Sequence, residues 1–234
     1  MAFWKRNELD TPIAPVDWRD VETFVLGTLE RALAPKRPRE VRGPMAIRVE
    51  QDHPRGTVYA PCAFRGSLTG PTASGTSGKR WFEDLECLRV LCHVDDGVED
   101  GGLRRYEVRD GSGEVIGTIE CHPPQGGRKR PSWRIQQPGH PEIVGRSDGD
   151  LIERGLVGAF EFANVLYESA MLGDQRVAKP KKPRAVNWKD ETGRSVMLSQ
   201  GKKHTVRVAW LDRRLAFAFA LLGDGDQAVG AEPT

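Results

Sequence analysis

Residues Leu215 to Leu222 form an unbroken apolar run, Leu-Ala-Phe-Ala-Phe-Ala-Leu-Leu. Two arginines precede it and a Gly-Asp pair follows. A chain carrying such a run must bury it on every side. Read as a helix from Leu211 to Leu222, it spans about 18 Å at roughly 1.5 Å per residue. A bilayer core is about 30 Å thick, so a membrane-crossing helix is excluded on length. Large Leu215, Phe217, Phe219 and Leu221 alternate with small Ala216, Ala218 and Ala220, which suits a buried strand. The run holds no Val, Ile or Thr, however, and Ala and Leu are the strongest helix formers. Asp212 is placed to cap a helix and Gly223 to end one. The composition therefore favours a buried helix over a buried strand. A helix apolar all round needs a container, and the rest of the sequence supplies one.

That container is read from a series of hairpins. "YEVRDGSGEVIGTIE" (106–120) is a strand, a tight Asp-Gly-Ser-Gly turn and a return strand. "WRIQQPGHPEIVGRS" (133–147) and "VNWKDETGRSVMLSQ" (186–200) repeat the form, and "VAWLD" (208–212) begins a fourth. Upstream, "MAIRVEQ" (45–51) alternates as a strand, and "GTVYAPCAFRGSLTG" reads as a strand pair. In "LECLRVLCHV" (85–94), Glu86, Leu88, Val90, Cys92 and Val94 share the expected core face. "GPTASGTSGK" (70–79) reads as a loop. Gly 26 and Pro 16 agree with a turn-rich chain.

Two segments carry helical spacing. Trp18, Val21, Val25, Leu29 and Ala32 follow Asp17 as a cap and precede Pro35, which predicts an amphipathic helix to about Ala34. Leu151, Ile152, Leu156, Phe160, Ala163, Leu166, Tyr167 and Ala170 predict another over 150–172. The expected fold is mainly β: an antiparallel up-and-down β-barrel around a buried C-terminal helix, plus an N-terminal amphipathic helix. The expected organisation is an N-terminal tail, helix and basic linker over 1–44, the barrel over 45–223 and a disordered tail over 224–234.

A hairpin barrel closing round a C-terminal apolar helix resembles the tubby-like superfamily, which includes phospholipid scramblases and LURP-one-related proteins. The resemblance rests on "YEVRDGSGEVIGTIE", "SWRIQQPGHPEIVGRS", "NWKDETGRSVMLSQ" and "WLDRRLAFAFALL" and covers roughly residues 45 to 223. The 150–172 segment and the N-terminal helix depart from its pattern. What the resemblance implies is binding to an anionic lipid headgroup or a protein partner rather than catalysis.

The residues offer a binding surface of the same kind. Basic runs stand at Lys36, Arg37, Arg39 and Arg42; at Arg128, Lys129 and Arg130; at Lys179, Lys181, Lys182 and Arg184; and at Lys202, Lys203 and His204. If the last three converge, Arg128, Lys129, Arg130, Lys179, Lys181, Lys182, Arg184, Lys202 and Lys203 form an anion-seeking patch. Ordinary solvated loop charge is the plainer reading. The alternatives in function are a scaffold or homo-oligomer docking through its helices, and nucleic-acid binding through "KPKKPR" (179–184). The latter is weakened because no aromatics interleave with the cations.

Catalytic and metal chemistry is thinly represented. Cys87, Cys92 and His93 with Cys121 and His122 lack the usual zinc spacing, and Cys92 and His93 fall on opposite strand faces. "DDGVEDGG" (95–102) lacks the ligand alternation of a calcium loop and reads as a hairpin tip. His53, His140 and His204 have no partner evident in sequence. Neither a Gly-x-x-x-x-Gly-Lys-Ser/Thr loop nor a Gly-x-Ser-x-Gly elbow occurs. No catalytic residue, metal or cofactor is expected. The N-terminus has no apolar run after its basic residues, so the expected setting is the cytoplasm with reduced cysteines, peripheral to a membrane where the basic loops engage one.

Overall fold

The computed structural model of the chain describes residues 12–35, 39–54, 56–66, 80–124, 131–147 and 185–229, the last with side chains to Gly223. Thirteen strands are described: β1 (Thr23–Arg31), β2 (Val41–Gln51), β3 (Val58–Arg65), β4 (Arg80–Glu83), β5 (Val90–Val94), β6 (Val98–Asp100), β7 (Leu103–Asp110), β8 (Val115–His122), β9 (Ser132–Gln136), β10 (Ile143–Ser147), β11 (Ala185–Asp190), β12 (Ser195–Gln200) and β13 (Lys203–Val206). One helix, α1 (Arg213–Val229), follows them. Strands adjacent in sequence pair antiparallel, apart from β5 and β6, and β1 pairs with β13. β5 also pairs with β7, with Cys92 opposite Asp110 and Val94 opposite Val108. β6 continues the line of β5 along β7. These pairings close a 12-strand barrel, so that no unpaired main-chain edge runs its length.

The hairpin turns have a side-chain cause. Asp110 Oδ1 accepts from Ser112 N at 2.9 Å, Ser112 Oγ at 2.6 Å and Glu114 N at 3.1 Å. Asp190 Oδ1 accepts from Thr192 N at 3.0 Å, Thr192 Oγ1 at 2.7 Å and Arg194 N at 2.9 Å. The hydroxyl bond is the main reason each carboxyl is held below its ordinary range. Gly113 (φ 91°) and Gly193 (φ 83°) then occupy the left-handed position that lets each chain return.

α1 fills the barrel. None of Leu215 to Leu222 exceeds 5% exposure. Phe217 meets Phe24 of β1 (ring centroids 4.9 Å) and Phe82 of β4 (6.0 Å). Phe219 meets Trp133 of β9 (5.2 Å), Trp188 of β11 (4.6 Å) and His204 of β13 (5.9 Å). On β8, a Cβ at Gly117 would lie 2.9 Å from Leu215 Cδ2 and 2.5 Å from the Gln136 carbonyl oxygen. Helix and sheet touch there because that side chain is missing. The run is thus a helix, and its container is the sheet.

Several expectations are corrected. Residues 18–34 do not form an amphipathic helix. Asp17 does act as a cap, its side chain accepting from Arg19 N, but only for a 3-10 turn over Trp18–Asp20. The chain then becomes β1, burying Phe24 and Leu26. Pairing on two sides overrules the helical period: β1 sits between β13 and β2, which would otherwise each present an edge. β1 therefore belongs to the barrel, which begins well before residue 45. The fourth hairpin is built on β13, and residues 207–212 lead into the helix rather than forming a strand. α1 continues past the expected stop at Gly223 to Val229. In the 85–94 stretch only Val90–Val94 is a strand, and Leu88 is 81% exposed rather than core. The predicted 150–172 helix, the 70–79 loop and residues 230–234 lie outside the described residues.

Replacing Phe217 by Ala removes contacts to two arcs of the barrel and is expected to cost about 3–5 kcal/mol in urea unfolding. Leu88→Ala, at an exposed turn, is expected to change stability by less than about 0.5 kcal/mol.

Candidate functional site

Of the nine cations expected to form a patch, Arg128, Lys129, Arg130, Lys179, Lys181, Lys182 and Arg184 lie outside the described residues. Lys202 is exposed at the β12–β13 turn, where its carbonyl accepts from Leu26 N at 3.3 Å. Lys203 opens β13 and stands 3.9 Å from Glu50. In the upstream run, Arg42 is held by Glu40 at 2.6 Å.

His204 does not belong to that basic surface. It is 4% exposed, stacks on Phe24 at 5.1 Å and reaches Ser199 Oγ through Nδ1 at 3.0 Å. Ser199 Oγ also accepts from Trp188 Nε1 at 3.1 Å. Burial holds the imidazole at a pKa of about 4, so it is neutral at pH 7. Two arginines are buried in the same structural manner. Arg48 donates to the carbonyls of Gly27, Tyr59 and Pro44 and to Glu30. β1 curls beyond Gly27 until Arg31 pairs with Val58, which encloses that guanidinium. Arg213 donates to the carbonyls of Val21 (2.6 Å), Val208 (3.0 Å) and Leu211 (2.7 Å). These groups satisfy backbone oxygens and point into protein, not toward a ligand.

Three of the four thiols are held as poor nucleophiles. Burial raises Cys62 and Cys92 to about 12 each. Cys87 is raised by desolvation and by the carboxylates of Glu83, Asp84 and Glu86. Cys92 points inward and His93 does not, as the strand alternation implies. Among the described residues no three His, Cys, Asp or Glu side chains are grouped to hold a metal ion.

The arrangement with room for a ligand is a cleft of about 560 Å³ at the rim where α1 begins. Five separate segments form it: residues 15–19, Cys62 of β3, the β4–β5 connection with the start of β5, the start of the β7–β8 turn and Arg214. Trp18 is its aromatic centre. The Arg19 guanidinium lies 4.6 Å from the Trp18 ring centroid and that of Arg214 lies 5.3 Å from it. Arg19 is paired with Asp17 (3.3 Å) and Arg214 with Asp212 (2.7 Å). Asp84 Oδ1 receives the amides of Leu88 (2.9 Å) and Arg89 (3.2 Å), fixing the lip of the cleft. A smaller cleft of about 320 Å³ lies where α1 reaches Leu222, lined by Asp96, Glu99 and Arg104 among others. Sequence reading missed the first cleft because its residues are scattered over some 200 positions and no run of them is distinctive.

No family model matches the chain, and no curated protein or solved structure matches it either.

The buried imidazole makes stability depend on pH. Its folded pKa of about 4 lies below the ordinary 6.5. The contribution is therefore complete above pH 6.5 and is lost as pH falls toward 4, by about 3 kcal/mol in all. Urea unfolding of His204→Gln is expected to show a flatter profile across that window than the parent chain.

Proposed function

We propose that this chain is a non-enzymatic, tubby-like binding domain that recognises an anionic lipid headgroup or phosphate group through its basic connections. One observation supports the reading. β8 and β9, β10 and β11, and β12 and β13 each pair antiparallel through adjacent connections. In an up-and-down barrel, alternate connections leave from the same rim. His122 pairs with Ser132, Ser147 with Val186 and Gln200 with Lys203, so all three connections depart from the rim opposite the start of α1. Those connections carry Arg128–Arg130, the Lys179–Arg184 run and Lys202 in the sequence. Basic runs in connections that leave from one rim suit an anionic surface, and the barrel interior, filled by α1, leaves binding to its outside.

Co-sedimentation with vesicles tests this. Binding is expected to phosphatidylserine-containing vesicles and not to pure phosphatidylcholine, and to weaken with salt. Each cation near an acidic surface contributes about 1 kcal/mol, so reversing Lys179, Lys181, Lys182 and Arg184 to Glu is expected to reduce partitioning about a hundredfold or more. Retention that is the same on both vesicle types and in the reversed variant would remove the lipid reading. Competition by inorganic phosphate would identify a free phosphate ligand instead.

A further inference from the structure

The cleft at the start of α1 lies at the rim opposite the one from which those three connections leave, and its lining carries four carboxylates against three guanidinium groups. Asp17 neutralises Arg19, and Asp212 neutralises Arg214. What remains on the lining is Asp84, Glu86 and Asp110, the last also facing Arg214, against Arg89. Asp84 uses Oδ1 for the turn it caps, and Asp110 uses Oδ1 for its own hairpin. Among the described residues, the second oxygen of each carboxylate accepts no hydrogen bond. Trp18 already presents its ring to guanidinium groups, and an indole face attracts cations. Val16, Leu85 and Leu91 supply an apolar wall beside the carboxylates. Such a wall suits the aliphatic stems of Lys and Arg and the rings of Pro.

We propose that this cleft binds a basic, extended peptide segment. Its ammonium or guanidinium groups meet Asp84, Glu86 and Asp110, and its stems lie along Val16, Trp18 and Leu91. A volume of about 560 Å³ suits a few residues of such a segment rather than a folded surface.

The probe is a labelled peptide, Ala-Lys-Pro-Lys-Lys-Pro-Arg-Ala, whose prolines hold its cations extended. Its anisotropy is titrated with the full chain, and a control peptide carries Glu at each basic position. Saturable, salt-sensitive binding of the basic peptide alone is expected. The combined variant Asp84→Asn, Glu86→Gln, Asp110→Asn keeps the turn-capping oxygens and is expected to bind about tenfold more weakly. Arg89→Glu removes the one opposing cation at an exposed lip and is expected to tighten binding roughly threefold, which a misfolded chain could not do. The proposal is overturned if the peptide does not saturate, or if Arg89→Glu leaves binding unchanged or weakens it. It is equally overturned if Asp96→Asn with Glu99→Gln, in the smaller cleft, carries the loss. The probe has the sequence of residues 178–185, so vesicle binding is measured with the full chain and no peptide, and the failure of either reading is told apart from the other.

Discussion

The fold depends on the burial of a helix that has no polar side between Leu215 and Leu222. Each fully buried Leu or Phe contributes about 1.5–3 kcal/mol, and the gain is realised only when apolar groups surround the helix completely. The strands have the opposite problem: one face of each is apolar and needs a filler. Phe24, Phe82, Trp133 and Trp188 come from four strands spread around the sheet and all meet α1. Helix and sheet each answer the other's requirement. Closure through the β5–β7 pairing follows, because an open sheet would leave one side of the helix wet.

The polar groups inside are arranged to end chain segments rather than to react. Arg213 ties the carbonyls of Val21, Val208 and Leu211, so the entry to β1, the exit of β13 and the start of the helix share one guanidinium. Gln137 adds a second tie at that rim, donating to the Trp210 carbonyl and accepting from Asp212 N, both at 2.9 Å. Removing such a group would leave several buried oxygens without donors, and that penalty makes the geometry specific. His204, Ser199 and Trp188 form a satisfied chain of the same kind behind Phe219.

What could be read from sequence was what local chemistry decides. Asp-x-Ser/Thr-Gly turns form their own hydrogen bonds, so the hairpins at 106–120 and 186–200 were legible before any pairing was known. The helix was legible because Ala and Leu dominate it. β1 was not, since Val21, Val25, Leu29 and Ala32 satisfy a helical period that only neighbouring strands overrule. Leu88 was misjudged for a related reason. The strand stops at Val90, and the turn capped by Asp84 turns that leucine outward. The cleft was invisible because Trp18, Asp84, Asp110 and Arg214 meet only once the barrel has closed. The rim shared by the ends of β8, β10 and β12 was half legible: the basic runs that follow them are in the sequence, but the common end of the strands follows from counting them.

The pairing of β1 with β13, and the placement of the core filler after β13, has a consequence for biosynthesis. A chain emerging from the ribosome makes its first strand long before that strand's partner, and it makes the filler after every wall. Until α1 emerges, the inward faces of twelve strands have nothing to pack on, so closure waits for nearly the whole chain. Such an order of contacts is slow and leaves sheet-forming segments open in the meantime. Nascent chains of this protein therefore have particular need of chaperone cover, and any halt in translation before Arg213 yields a wall without a core.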